Sequence, residues 1–145
     1  MRFMVIVKAT AESEKEGALP DPQMIAEMGK YNEELIKAGI VLAMDGLHPS
    51  SKGARVKFSG NSRTVVDGPF TETKELIAGF WLWQVKSLEE AIEWVKRCPS
   101  SSGDDYEIEI RHVFEMEDFA PILSEEEIQH KVRCRAELPN QTANK

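Results

Sequence analysis

The chain has 145 residues, of which 41% are hydrophobic and 30% charged, and its formal net charge is −7. This length fits one domain, and the composition is that of a globular protein rather than a disordered one. The negative charge argues against a general affinity for nucleic acid or for an anionic membrane, although a local basic patch would override that average.

The N-terminal part of the chain predicts a strand, a helix and a second strand. Phe3–Val7 is a continuous apolar run, which is typical of a central strand. The polar, Glu-rich residues 10–19 predict a loop. Asp21-Pro22 is a helix start, and apolar residues at helical spacing follow until Gly39 ends the helix. Residues 40–43 predict the second strand.

The middle of the chain predicts a hairpin and then the strongest strand. Residues 54–58 and 63–66 are short runs separated by Ser-Gly-Asn-Ser, which indicates a hairpin. Residues 79–85 have the sequence Gly-Phe-Trp-Leu-Trp-Gln-Val, which is rich in aromatic residues and favours a strand.

A second helix and a last strand follow. Ser87 and Glu90 form a capping box, in which each side chain satisfies the other residue's backbone donor, and Cys98-Pro99 ends the helix. Residues 107–113 alternate between polar and apolar residues, which predicts a half-exposed strand.

This order of elements predicts an α+β domain of the ferredoxin-like kind. Its βαββαβ antiparallel sheet would carry two helices on one face and the hairpin as an insertion. We expect this domain to span residues 1–119 and a C-terminal helical extension and tail to span residues 120–145. In the extension, Ser124 and Glu127 form another capping box, and disorder is expected after Leu138-Pro139.

One face of the predicted sheet needs a cover that its own two helices cannot supply. Along residues 79–85, Trp81 and Trp83 point to one face, while Phe80 and Leu82 point to the other. Leaving such a side chain in water forfeits roughly 1.5–3 kcal/mol. We therefore expect a homodimer of the dimeric α/β barrel type, with a polar pocket between its two sheets. The alternative is that the C-terminal segment folds back over its own sheet.

The sequence carries no pattern that indicates a metal or a cofactor. Cys98 and Cys134 are far apart and belong to no Cys-x-x-Cys or Cys/His spacing, so we expect free thiols. There is no glycine-rich phosphate loop and no nucleophile elbow. The N-terminus does not resemble a signal peptide, and no apolar run has the length of a membrane span. These features favour a cytoplasmic, cofactor-independent protein.

Two residues are candidates for acid–base chemistry. The glycine and proline after Asp67 predict a sharp turn that would hold its carboxylate at a rigid corner. Asp67 would then bind substrate or act as a general base, or only hydrogen-bond the turn. His48 follows a predicted strand, and histidine is the residue type best suited to exchange protons at neutral pH, so His48 is either a proton shuttle or an exposed loop residue. The two residues act as a pair only if their loops lie side by side.

Other charged residues are candidates for binding an anionic substrate. The predicted hairpin carries four positive charges and no negative charge over residues 52–64, on Lys52, Arg55, Lys57 and Arg63. This patch would steer an anion, with Arg55 as a binding group, or protect the edge strand by charge. Arg111 would lie between the sheets of a dimer or in a cross-strand ion pair. Glu72 and Lys74 would line the pocket mouth or lie in a solvated loop.

The segment Asp67-Gly-Pro-Phe70, followed by Glu72, Lys74, Glu75 and Gly79-Phe80, resembles the signature of the YCII-related (DGPF-domain) family. The resemblance extends over most of the chain up to about Phe119. It implies the ferredoxin-like dimer and a largely uncharacterised function, with members suspected of being small-molecule enzymes. It also implies an alternative, because many members look associated with extracytoplasmic-function sigma factors. This chain would then be a non-catalytic module that binds such a partner through its basic hairpin or C-terminal helix.

Overall fold

In the computed structural model, which describes residues 1–100 and 105–139, the chain forms six strands, four α-helices and two short 3₁₀-helices. The strands are β1 (Arg2–Lys8), β2 (Val41–Gly46), β3 (Ala54–Ser59), β4 (Ser62–Asp67), β5 (Ile77–Gln84) and β6 (Ile108–His112). The α-helices are α1 (Pro22–Lys37), α2 (Leu88–Lys96), α3 (Met116–Phe119) and α4 (Glu125–Ala136), and the 3₁₀-helices are Ser50–Lys52 and Thr73–Glu75. The disorder predicted after Pro139 lies outside the described residues.

The strands form two antiparallel sheets. The larger has the order β2-β5-β1-β6, so β5 and β1 occupy its centre. Strands β3 and β4 pair only with each other, with Val56 opposite Val65, and form the predicted hairpin as a separate two-stranded sheet. The predicted α+β class is therefore confirmed, with mixed helices and antiparallel strands. Of the helices in the described part of the chain, none has both the length and the hydropathy that a membrane span requires.

The core lies between one face of the four-stranded sheet and the helices α1 and α2. The odd-numbered residues of β1 and β5 point into it, as strand alternation requires. Trp83 and Val5 are fully buried, with an exposed fraction of 0%. The buried residues of the core are Phe3, Val5, Tyr31, Leu35, Ile40, Trp81, Trp83, Val85 and Ala91.

Two side-chain hydrogen bonds join α1 to the rest of the core. The Tyr31 hydroxyl donates to the carbonyl oxygen of Trp94 on α2 at 2.6 Å, and burial raises the pKa of this phenol, which keeps it a donor. The indole Nε1 of Trp81 donates to Oδ1 of Asn32 at 2.9 Å. A buried polar group needs such a partner, because an unpaired one costs about 1–3 kcal/mol.

The opposite face of the four-stranded sheet is apolar at its centre. Met4 and Ile6 of β1 lie beside Phe80 and Leu82 of β5 on this face, and all four are half-buried. We call these four residues the open-face patch. Helix α4 buries no residue, so it does not cover the patch in the way that a folded-back C-terminal segment would.

An ion pair fastens the start of β1 to the segment after β6. The Arg2 guanidinium donates from Nε to Oε1 of Glu115 at 3.0 Å and from Nη2 to Oε2 at 3.1 Å. This two-point geometry is the strongest that an arginine makes with a carboxylate. These hydrogen bonds hold the pKa of Glu115 below its usual range. Glu115 is also the N-cap residue of the short helix α3, and its backbone N–H donates to Oδ2 of Asp118 at 2.7 Å.

We expect Glu115→Gln to lower the free energy of unfolding by about 1 kcal/mol at pH 7, because it removes the charge and keeps the shape. The folded-state pKa is depressed, so the stabilisation is complete above the unfolded-state pKa of about 4.3 and is lost as pH falls through the folded-state value. Urea unfolding over a pH series measures this difference. Glu117→Gln, at an exposed position of the same helix, is the control. A difference that persists below about pH 2 would contradict the ion-pair explanation.

Candidate functional site

One end of the four-stranded sheet gathers the loops that carry most of the candidate residues. Strands β1 and β2 finish there, and β5 begins there. The backbone N–H of Leu47 donates to the carbonyl oxygen of Ala78 at 2.8 Å, which joins the loop after β2 to the start of β5. We call residues 9–20, 47–53 and 68–76 together the loop end.

Gly68 lies in closer contact with a neighbouring loop than another residue type allows. Strand β4 ends at Asp67, and the N–H of Gly68 donates to the carbonyl oxygen of Gly53 at 3.0 Å. The Gly68–Pro69 peptide bond is cis. A Cβ atom on Gly68 would overlap the carbonyl oxygen of Ser50. Glycine is therefore required here for its missing side chain, and the predicted sharp turn forms against the 3₁₀-helix.

Ser50 connects three loops through hydrogen bonds. Its N–H and its Oγ each donate to Oε2 of Glu14 at 2.9 Å. The same Oγ accepts the backbone N–H of Phe70 at 3.0 Å. We call Glu14, Ser50, Gly68 and Phe70 the Ser50 cluster. Because Glu14 follows β1, Ser50 follows β2 and Phe70 precedes β5, this cluster fixes the three loops relative to one another.

Arg55 packs on the Ser50 cluster. Its guanidinium carbon lies 3.9 Å from the centroid of the Phe70 ring, which is the geometry of a cation–π contact. Of the ion pairs among the described residues, none includes Arg55. The stacked guanidinium therefore keeps its hydrogen-bonding edge for another group.

Asp67 and His48 lie in adjoining segments, but their side chains do not pair. Both are exposed, and neither makes a side-chain hydrogen bond or an ion pair within the described residues. The segments meet because Ser50, two residues after His48, contacts Gly68, the residue after Asp67. The structure therefore brings the two loops together and leaves both side chains open to solvent.

The remaining predicted residues lie in two different places. Glu72 and Lys74 are exposed at the loop end, at the 3₁₀-helix Thr73–Glu75. Arg111 lies on β6, and its Nη1 is 3.4 Å from Oε2 of Glu109. It is paired in register with Met4, on the same face as the open-face patch and away from the loop end.

Glu14 and Ser50 are site residues that the sequence did not indicate. They are separated by 36 positions, and neither belongs to a spacing motif. Glu14 lies in a stretch where polar residues are common, and a serine after a proline is ordinary in a turn. No group of three or more His, Cys, Asp or Glu side chains arranged to hold a metal ion occurs among residues 1–100 and 105–139.

Comparison with known proteins identifies a family and a relative. The model of the YCII-related domain matches residues 1–117. An uncharacterised protein of Rhizobium meliloti (strain 1021) is 28% identical over 91 residues, which is 63% of this chain and 73% of that protein. The family match includes the four-stranded sheet, the hairpin and the whole of the loop end.

We expect Gly68→Ala to lower the free energy of unfolding by about 2 kcal/mol or more, because the added methyl group would force the backbone at residue 68 away from the backbone at Ser50. Gly53→Ala is the matched control, since its Cβ would lie at an ordinary 3.5 Å from the same Ser50 oxygen. Chemical denaturation of both variants measures the contrast. Equal losses would show that the close approach of Gly68 to Ser50 is not the cause.

Proposed function

The chain belongs to the YCII-related family, and on this basis we propose that it is a homodimer that binds a small anionic molecule at the loop end and carries out acid–base chemistry on it. The observation that carries this proposal is the Ser50 cluster. It fixes the segments of Asp67, His48 and Arg55 relative to one another and leaves all three side chains accessible. A rigid support under accessible reactive groups is what a binding site needs.

The charges near the loop end support an anionic ligand. Arg55 has one face on Phe70 and an edge free to donate two parallel hydrogen bonds to a carboxylate or phosphate. Lys52 lies in the neighbouring 3₁₀-helix, and Lys57 and Arg63 lie further along the hairpin towards its turn. In a protein of net charge −7, this local excess would attract an anion. Glu72 and Lys74 would then border the site.

Asp67 and His48 would supply the chemistry. A carboxylate and an imidazole with no protein partner are both available to a substrate proton. In this proposal Asp67 is the general base, and His48 carries the proton onward. Only side chains of the chain act, and no cofactor takes part.

The strand order supports the ferredoxin-like form of the fold and a dimer. The order β2-β5-β1-β6 is that of a βαββαβ sheet, with the hairpin β3–β4 inserted before its third strand. In a dimeric α/β barrel, the open-face patch of each subunit would pack on that of the other. Burying these side chains would contribute about 1 kcal/mol or more for each. Arg111 would then lie between the two sheets, beside the open-face patch and away from the loop end.

The alternative is a regulatory module that binds a protein such as an extracytoplasmic-function sigma factor. The observation that favours it is the apolar surface of the hairpin, where Phe58 and Val65 are 71% and 65% exposed beside basic residues. The C-terminal extension, residues 120–145, would be a second binding element. Either role would take place in the cytoplasm, which fits the free thiols of Cys98 and Cys134.

We expect the protein to be a dimer by light scattering, and Leu82→Lys in the open-face patch to convert it to a monomer, because dimerisation would bury the new charge. Ile25→Lys is the control, at a 56% exposed position of α1, and it should remain a dimer. Circular dichroism checks that both variants fold. A monomeric unsubstituted protein would refute the dimer.

We expect a thermal-shift screen of small carboxylates and phosphates to yield a ligand that Arg55→Gln binds about fivefold to tenfold more weakly. Arg97→Gln is the control, because Arg97 also stacks on an aromatic ring, that of Trp94 on α2. Asp67→Asn should bind the ligand with little change and lose its turnover. An Asp67→Asn protein that folds normally and turns the ligand over at the original rate would exclude Asp67 as the base.

A further inference from the structure

A cavity of about 490 Å³ lies beyond the end of β6, at the opposite end of the four-stranded sheet from the loop end. It is bounded on one side by α4 and on the other by the segment from β6 into α3. We call it the C-terminal groove. Its volume is within the range of roughly 300–1,000 Å³ that small-molecule sites occupy. Most of its lining comes from residues beyond 117, where the family match ends.

The floor of the C-terminal groove is aromatic. The rings of Phe114 and Phe119 lie 5.0 Å apart between centroids, at an angle of 42°. Met116 lines the groove beside them. Phe114 is 68% exposed, so this subunit leaves a large apolar side chain in water next to a cavity. A flat apolar group would remove that surface from water.

The wall of the groove formed by α4 is positively charged. Lys131 and Arg135 both line it, one helical turn apart, and the Lys131 ammonium lies 4.9 Å from the centroid of Phe119. The acidic residue of the lining, Glu115, is already paired with the Arg2 guanidinium. The groove therefore combines an aromatic floor with two cations at its side.

We infer that the C-terminal groove binds a small amphipathic anion, namely an aromatic ring system that carries one carboxylate or sulfonate. The ring packs on Phe114 and Phe119, and the acidic group pairs with Arg135 and Lys131. This site is separate from the proposed site at the loop end and does not depend on it.

A thiol in the groove serves as a reporter of binding. Cys134 is exposed, lines the groove and has its Sγ 3.7 Å from Nε2 of His130. Cys98 is half-buried elsewhere in the chain, against the core, and is an internal control. A ligand in the groove covers the first thiol and leaves the second unchanged.

The test uses the full chain and anilinonaphthalene sulfonate, an aromatic monoanion whose fluorescence rises in apolar surroundings. We expect saturable binding that slows alkylation of Cys134 by iodoacetamide at least about threefold and leaves Cys98 unchanged, as followed by mass spectrometry. Phenylnaphthylamine, which lacks the sulfonate, should bind more weakly. Equal slowing of both thiols, or slowing of neither, would overturn the inference.

Charge variants on α4 locate the anion. We expect Arg135→Glu and Lys131→Glu each to weaken binding of the dye roughly fivefold or more, which corresponds to the loss of one exposed ion pair. Arg133→Glu changes the net charge by the same amount, but Arg133 does not line the groove. The affinity of this variant for the dye should therefore stay within about twofold of the original value. Equal weakening in all three variants, or in none, would refute a specific anion site.

Discussion

The side chains of β5 alternate between two environments, and the rest of the structure is arranged around that alternation. Trp81 and Trp83 are buried among α1, α2 and the neighbouring strands, and they anchor the core. Phe80 and Leu82 are held on the other face by the same backbone. A shift of one residue in register would exchange the two sets of side chains. The burial of the tryptophans therefore also fixes which side chains lie on the open face. The same register sets where the loops at the two ends of the sheet begin.

The two candidate sites lie at opposite ends of β1. Glu14 and the Ser50 cluster follow its last residue, while Arg2, at its start, binds Glu115 beside the C-terminal groove. Seven strand residues separate these ends, which corresponds to roughly 20 Å at the usual rise. A ligand at one end therefore has no direct contact with a ligand at the other. The four-stranded sheet lies between them, and each candidate site is supported by its own hydrogen bonds.

Local patterns in the sequence were enough to predict the six strands and the three longer helices, since periodicity and caps act within a few residues. The capping boxes predicted at Ser87 and Ser124 located the starts of α2 and α4, and the box at Ser124 forms as predicted. On α2 the prediction is only half right: the Ser87 hydroxyl accepts the N–H of Glu90, but the Glu90 side chain accepts the N–H of Lys86 and not that of Ser87. The short helix α3 was not predicted, because its capping residue is a glutamate rather than a serine or an aspartate. The Ser50 cluster could not be predicted, since it joins residues that are 36 and 20 positions apart. The turn at Gly68 was expected, but the neighbour that requires a glycine there was not.

The contact between Arg55 and Phe70 would also restrict how the proposed anionic ligand is recognised. With an aromatic ring 3.9 Å from its guanidinium carbon, one side of that planar cation is closed. A molecule can then approach in the plane of the cation, along its nitrogen atoms. Such an approach suits a flat, Y-shaped acceptor, whose two oxygens are coplanar with the donors, better than a single round ion such as chloride. The shape of the acid, and not only its charge, would therefore be selected.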